Sequence, residues 1–430
     1  MMWKLFILYV IRSLACMHVF LETGIYTLYK RDIRSDFMLE LLSVPFAGLI
    51  FAIVGERLKG RESDRKKIQV FFEVSGIAIR REDKLQYPVF LEQKEDDRST
   101  TYIYRLPVGM PSKIIQKVED VVSEGLSKPV RIDYDNYKLN IRVFHRDIPK
   151  RWSWSKGLVV EGSWCVPMGQ SLEKLIYHDF DKTPHMTLGG LTRMGKTVFL
   201  KNVVTSLTLA QPEHINLYII DLKGGLEFGP YKNLKQIVSI AEKPAEAFMI
   251  LTNILKKMEE KMEYMKCRHY TNVVETNIKE RYFIIVDEGA ELCPDKSMKK
   301  EQQRLLGACQ QMLSHIARIG GALGFRLIFC TQYPTGDTLP RQVKQNSDAK
   351  LGFRLPTQTA SSVVIDEAGL ETIKSIPGRA IFKTDRLTEI QVPYISNEMM
   401  WEHLKGYEVE KHEDANAYAN QPSNGDTCDD

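Results

Sequence analysis

Eight consecutive residues, Gly190-Leu191-Thr192-Arg193-Met194-Gly195-Lys196-Thr197, fit the pattern GxxxxGKT. The chemistry of that pattern is phosphate binding. Its glycines let the backbone curl with N–H groups facing inward, and a helix starting at the loop's end adds partial positive charge. The lysine reaches the β- and γ-phosphates of ATP, and the threonine hydroxyl binds Mg2+. All eight are therefore expected to hold nucleotide, with Lys196 catalytic as well and Thr197 a metal ligand. Further along, Tyr282-Phe283-Ile284-Ile285-Val286 runs into Asp287-Glu288. A buried strand ending in two acids would let Asp287 hold the Mg2+ shell and Glu288 polarise an attacking water. Arg326–Cys330 similarly leads into Thr331-Gln332, where the Gln332 carboxamide could sense the γ-phosphate.

These groups need elements to position them. The extended run His185–Gly189 precedes the loop, and Val198, Leu200, Val203 and Leu207 give the following segment helical periodicity. Leu217–Ile220 is another apolar run, ending in Asp221-Leu222-Lys223-Gly224-Gly225-Leu226-Glu227. Strands alternating with helices imply a parallel sheet covered on both faces, so an α/β, RecA-like P-loop NTPase core is expected.

Upstream, short β-rich runs are read at Ile68–Val74, Tyr102–Leu106, Val130–Tyr134 and Leu139–Phe144. A helix is read between Pro111 and Gly125, where Ile114, Ile115, Val118, Val121 and Val122 share one face. The pattern predicts a small α+β domain. Glu92 to Thr101 reads as a polar loop. Pro149 to Gly169, carrying Trp152, Trp154 and Trp164, reads as a connector whose tryptophans serve inter-domain packing or, as a weaker alternative, base stacking.

At the N-terminus, Phe37 to Gly55 has Glu40 as its sole ionisable side chain. As a helix it would run about 28 Å, close to the ~30 Å of a bilayer core. Arg57, Lys59, Arg61, Arg65, Lys66 and Lys67 follow it, a basic flank that favours the cytoplasmic side. An earlier apolar run, Leu5 to Tyr29, carries Arg12, His18 and Glu22, so one or two transmembrane helices are expected. The expected organisation is a membrane anchor over 1–56, the α+β domain over 57–150, the motor core over 151–400 and an acidic, disordered tail over 401–430. From Glu408 onward there are seven acids against one Lys.

Composition narrows the classes further. At 430 residues with 43% hydrophobic and 27% charged residues, neither a disulfide-stapled scaffold nor a wholly disordered chain fits. The net charge of +4 is weak evidence for nucleic acid. Seven scattered cysteines form no CxxC pair, and HExxH and GxSxG are absent, which disfavours zinc and serine hydrolases.

Taken together, from about Thr101 to Ile395, the chain resembles the FtsK/SpoIIIE family of double-stranded DNA translocases. The residues carrying the resemblance are Pro184-His185-Met186, the phosphate loop, Asp221 and Lys223, Val286-Asp287-Glu288, Thr331-Gln332 with Pro334, and Val364-Ile365-Asp366 through Gly378. Departures are Arg193-Met194 before the Gly-Lys pair, Tyr333 in place of a common Arg, and Gly320-Gly321-Ala322 where many relatives carry Arg. Within the family the chain is most similar to the coupling proteins of Gram-positive conjugative elements. The resemblance implies a homohexameric, membrane-anchored ATP hydrolase with its motor in the cytoplasm. It would bind DNA independently of sequence and deliver relaxase-bound DNA to the proteins of a transfer channel. A trans-acting arginine would then come from Arg318, Arg341 or Arg354, with Lys350 at the place of a family arginine. The run Arg341 to Asn346 is either a DNA-facing element or a solvated helix. The alternative function is an ATPase powering a secretion channel for protein substrates; a scaffold without turnover is disfavoured by the complete set of catalytic residues.

The anchor is directly testable: after low-salt lysis the full-length protein should sediment with membranes and need detergent for release. Recovery in the soluble fraction would remove the anchor.

Overall fold

The computed structural model describes residues 63–409 apart from residues 82, 83, 111 and 333. The expected membrane anchor and most of the acidic tail lie outside the described residues. Among the described residues, no helix is long and apolar enough to cross a membrane. The chain divides into two units at His145/Arg146.

In the first unit, helices α1 (Asp64–Val74) and α2 (Ser112–Leu126) accompany six strands, β1 (Ile79–Arg81), β2 (Lys84–Gln86), β3 (Val89–Glu95), β4 (Ser99–Arg105), β5 (Val130–Asp135) and β6 (Lys138–Phe144). The last four form an antiparallel sheet in the order β3-β4-β6-β5. Leu139, Ile141 and Val143 of β6 are buried at every second position, as a half-covered sheet requires. Two expectations are corrected here. Ile68–Val74 is helical, not extended: Ile68, Phe71 and Phe72 are buried at steps of three and four, which is the spacing of one helix face. Glu92–Thr101 is the β3–β4 hairpin, whose turn is held by the Asp96 carboxylate accepting from the Arg98 and Ser99 N–H groups, both at 2.8 Å.

The second unit is built on one ten-stranded sheet. Its strands are β7 (Cys165–Gln170), β8 (Leu175–Asp179), β9 (Met186–Gly189), β10 (Ile215–Ile220), β11 (Ile237–Ala241), β12 (Arg281–Val286), β13 (Phe325–Thr331), β14 (Ala349–Phe353), β15 (Arg379–Lys383) and β16 (Leu387–Gln391). Their order is β11-β10-β12-β13-β9-β14-β15-β16-β7-β8. The first six are parallel, and from β14 onward the pairing is antiparallel. Helix α3 (Lys196–Ala210) follows β9, α4 (Pro244–Cys267) leads to β12 and α5 (Lys300–Leu323) leads to β13. Three shorter helices, α6 (Arg341–Asn346), α7 (Gln358–Ile365) and α8 (Asn397–Leu404), complete the unit.

The central strands are apolar on both faces because both are covered. On β12, Phe283 and Ile285 join the core beneath α3 and α8, while Ile284 and Val286 join the core beneath α4 and α5. The same alternation holds on β10 and β13. The residues 149–169 are not a connector. Trp154 is buried with its indole N–H donating to Ser206 Oγ of α3 at 3.1 Å, and Trp164 packs on Phe283 at 5.7 Å. Both tryptophans are thus spent inside the motor unit. The unit also continues past the expected boundary at residue 400: Met400 and Leu404 are buried, and Val409 N–H donates to Asn233 O at 2.8 Å.

At the amino ends of the strands, Arg281 and Arg326 are buried side by side. Asp181 binds both, accepting from Arg281 at 2.8 and 3.0 Å and from Arg326 at 2.8 Å. Burial opposes ionisation of Asp181, and the hydrogen bonds from the two guanidinium groups outweigh it, holding its carboxyl below the usual carboxylate range. Asp181→Ala should therefore cost about 3–5 kcal/mol, since it leaves buried guanidinium charge uncompensated. Urea unfolding measures this. Because the folded-state pKa is depressed, the wild-type advantage over Asp181→Ala should be present above the ordinary carboxylate pKa of about 4 and disappear as pH falls through the lower folded value.

Candidate functional site

The parallel arrangement brings four strand ends together. β13 lies between β9, which feeds the phosphate loop, and β12, which feeds Asp287 and Glu288; β10 flanks β12 on the other side. Ile220 pairs with Val286, so Asp221 and Asp287 leave the sheet as neighbours.

The loop between β9 and α3 is shaped by three left-handed residues, Gly190 (φ 155°), Arg193 (φ 65°) and Gly195 (φ 118°). Its fit against the rest of the unit leaves no room for side chains at the glycines. A Cβ on Gly189 would fall 2.3 Å from Val364, and one on Gly190 would fall 2.5 Å from the Phe353 Cβ. The loop is tied down by Leu191 N–H to Arg354 O at 3.1 Å and by Gly378 N–H to Met194 O at 2.8 Å. Arg193 stands exposed at the loop's apex, and Thr197 lies half-buried in the first turn of α3.

Lys196 is buried, and its ammonium donates to the Gly190 carbonyl and to the Leu191 carbonyl, the latter at 3.0 Å. Burial pushes its pKa down to about 8, with the Glu288 charge opposing part of the shift. Thr192 Oγ1 donates to Gln332 Oε1 at 2.9 Å, linking the loop directly to the end of β13. Glu288, only 3% exposed, is held on both oxygens. Its Oε1 accepts from Thr331 Oγ1 at 3.1 Å and from Gln332 N–H at 3.0 Å, and its Oε2 accepts from Lys223 Nζ at 2.9 Å and Gln332 N–H at 3.2 Å. Burial and the adjacent Asp221 carboxylate push Asp287 up to about 6, against the pull of Lys223.

The structure thus joins Thr192, Gln332 and Glu288 in one chain of contacts, with Lys196 and Asp287 in the same electrostatic neighbourhood. Two participants escaped assignment from the sequence. Lys223 is the counter-ion of Glu288, and Asp221 is a third buried acid whose Oδ2 has no hydrogen-bond partner among the described residues. The signal was present in the polar residues ending the Leu217–Ile220 strand, but only the adjacency of β10 and β12 gives them partners.

These residues fit a nucleotide with Mg2+. The donor set at Thr197 and Asp287 is all oxygen, the kind that Mg2+ takes, and a divalent cation would relieve the repulsion that raises Asp287. Lys196 and the loop amides would face the phosphates.

The expected cations sort differently. Lys350 is buried, donating to Ser347 O at 2.8 Å and pairing with Asp366 at 3.2 Å. The Arg354 guanidinium donates to the Ile373 carbonyl of its own chain. Neither is presented outward, whereas Arg318 and Arg341 are exposed and line one groove of about 620 Å³ between α5 and α6. Lys344 is not a solvated partner of Arg341: it donates to Ser362 O at 2.8 Å and pairs with Asp366 at 3.1 Å, while Val343 is buried. The pair Gly320-Gly321 has a packing role, since a Cβ on Gly321 would lie 2.8 Å from Pro184.

A left-handed glycine pressed on Phe353 makes the loop intolerant of any side chain. Gly190→Ala should lower stability by about 1–3 kcal/mol and displace the loop, so that binding of a fluorescent ATP analogue is lost. Unchanged affinity in that variant would show that the loop's backbone course is not what holds nucleotide.

Comparison with known proteins agrees with this geometry. Residues 159–285 match the sequence model of the FtsK/SpoIIIE family. The DNA translocase FtsK of Chlorobaculum tepidum is 27% identical over 252 residues, 54% of this chain and 30% of its own length. That of Lactococcus lactis subsp. cremoris is 23% identical over 345 residues, 73% of this chain and 43% of its own length. The chain therefore spans less than half the length of these curated relatives. Among solved structures, the pCW3 conjugation coupling protein TcpA, in its monomer form with ATPγS, superposes with a TM-score of 0.58 at 21% identity, covering 80% of this chain and 99% of that one. EssC (ATPases 2 and 3) from Geobacillus thermodenitrificans gives 0.51 at 15% identity, covering 61% and 51%. Both share the fold of a P-loop NTPase motor.

Proposed function

From a chain that belongs to the FtsK/SpoIIIE family, we infer an ATP-driven DNA translocase that acts, anchored in the cell membrane as a homohexamer with its motor in the cytoplasm, as the coupling protein of conjugative DNA transfer. It would hold DNA by its phosphate backbone, without reading sequence, and pass relaxase-bound DNA to the proteins of a transfer channel. The observation that carries the hydrolytic part is the run of contacts from the phosphate loop through Thr192 and Gln332 to the buried Glu288. Relatives named as DNA translocases support the DNA substrate. Conjugation is supported by the likeness to TcpA, which extends over nearly the whole of that chain.

In this reading the loop amides and Lys196 bind and orient the phosphates, and Gln332 reports the loop's state to β13. Glu288 takes the proton from the attacking water as the water oxygen bonds to the terminal phosphorus and the bond from that phosphorus to the β,γ-bridging oxygen breaks, so that ADP leaves with the bridging oxygen. Mg2+, when bound by Thr197 and Asp287, supplies charge neutralisation at the phosphates. Of the candidate arginines, Arg318 and Arg341 are the exposed ones and would be available to a neighbouring subunit's site. A second reading, an ATPase powering export of protein substrates, draws on the shared fold with EssC.

The decisive measurement is ATP turnover with duplex DNA, single-stranded DNA or candidate protein substrates. DNA should stimulate it, and DNA affinity should fall steeply with salt at equal strength for unrelated sequences. Lys196→Ala should weaken nucleotide binding and abolish turnover. Glu288→Gln should keep nucleotide binding and lower turnover by about 10²–10⁴-fold. Stimulation by a protein substrate and not by DNA would replace the first reading with the second.

A further inference from the structure

Three donors, one of them bifurcated, already hold the two oxygens of Glu288. A carboxylate offers about four lone-pair sites, two on each oxygen. On Glu288, Thr331 Oγ1 and the Gln332 N–H occupy Oε1, and Lys223 and the bifurcated Gln332 N–H occupy Oε2. A water that is to give up its proton must take one of these places.

The donors differ in how easily they can leave. Thr331 is buried at the end of β13, a strand paired on both sides, and the Gln332 donor is backbone. Lys223 is different: its side chain is 37% exposed, and only its tip reaches the buried acid. It sits in a loop fixed at both ends, by buried Asp221 at one and buried Phe228 at the other. Between them, Gly224 (φ 85°) and Gly225 (φ 68°) turn the chain, and Leu226 stands 85% exposed at the tip. A Cβ on Gly224 would meet nothing within 4 Å, so solvent surrounds the residue next to Lys223.

We propose that Lys223 is a latch on Glu288: a positioning residue whose ammonium closes the acceptor site that the attacking water needs, and whose withdrawal with its glycine loop frees that site. The inference rests on the reading of Glu288 as the water-activating base. It adds that the resting motor is held back by an ion pair within its own chain.

The test uses the purified full-length protein. Lys223→Met should raise ATP turnover without any added nucleic acid by about threefold or more, leave the KM for ATP within about twofold, and bring the ratio of DNA-stimulated to basal turnover toward one. Lys223→Arg, which keeps the charge and a donor, should behave as wild type. Basal turnover that is unchanged or reduced in Lys223→Met overturns the latch. A second measurement needs no nucleotide. Lys223→Met should lower the urea midpoint, because the buried Glu288 charge loses its counter-ion, and adding Glu288→Gln to that variant should recover at least half of the loss. No recovery would show that the pair is not formed in solution. Wild-type protein without ATP turnover under any condition would instead sink the ATPase reading itself, and the nucleotide-free comparison would still report on the pair.

Discussion

Three carboxylates crowded at the carboxyl ends of two hydrogen-bonded strands set the terms for the motor unit. Asp221, Asp287 and Glu288 are all buried, and parallel pairing of β10 with β12 places them together. Left alone, such a group would protonate or unfold the strand ends. Two ammonium groups prevent this. Lys223 meets Glu288 directly, and Lys196, itself buried and weakened as a base, contributes its charge from the phosphate loop. The negative excess that remains, visible in the raised Asp287 and the unpartnered Asp221 oxygen, is what suits the place to a cation bound with a polyphosphate.

The loop that answers these acids is shaped by material far along the chain. Phe353 at the end of β14, Val364 on α7 and Gly378 ahead of β15 press against Gly190, Gly189 and Gly195. The glycines are required there by contact, and two of them by positive φ as well. Strand β14 and the segments that follow it therefore have a task beyond adding area: they are the wall that fixes the loop's course. Farther from the site, two clusters of buried charge are paired in local networks. Asp181 serves two guanidinium groups, and Arg379 is held by Gln391, Glu389 and two backbone carbonyls.

The periodic signals in the sequence were reliable where one element could satisfy them alone and misleading where two readings share a pattern. Ile68, Phe71 and Phe72 belong to a run rich in strand-forming residues, yet three-and-four spacing with buried partners on α2 and β4 makes it α1. The tryptophans of 152–164 sit among polar and glycine residues that read as a linker. Burial against α3 and β12, which no local pattern reveals, turns Trp154 and Trp164 into core. Lys344 and Lys350 likewise look like surface cations until Asp366, left-handed at the end of α7, is brought beside both.

By itself, the sequence determined the chemistry: a glycine-bounded loop ending in Lys196-Thr197 can curl around phosphate for local steric reasons, and an apolar run ending in Asp287-Glu288 can deliver acids because both faces of its strand are covered. It also determined the order of the strands and helices around the phosphate loop, since alternating periods are a local property. Which strand lies beside which is not local. Only the tertiary structure set β13 between β9 and β12, bringing Gln332 to Thr192 and Glu288, and set β10 against β12, bringing Lys223 to Glu288. The physical reason is that a hydrogen bond or ion pair between residues 65 to 140 positions apart leaves no mark on either segment's own propensity; it exists once the sheet has ordered its strands.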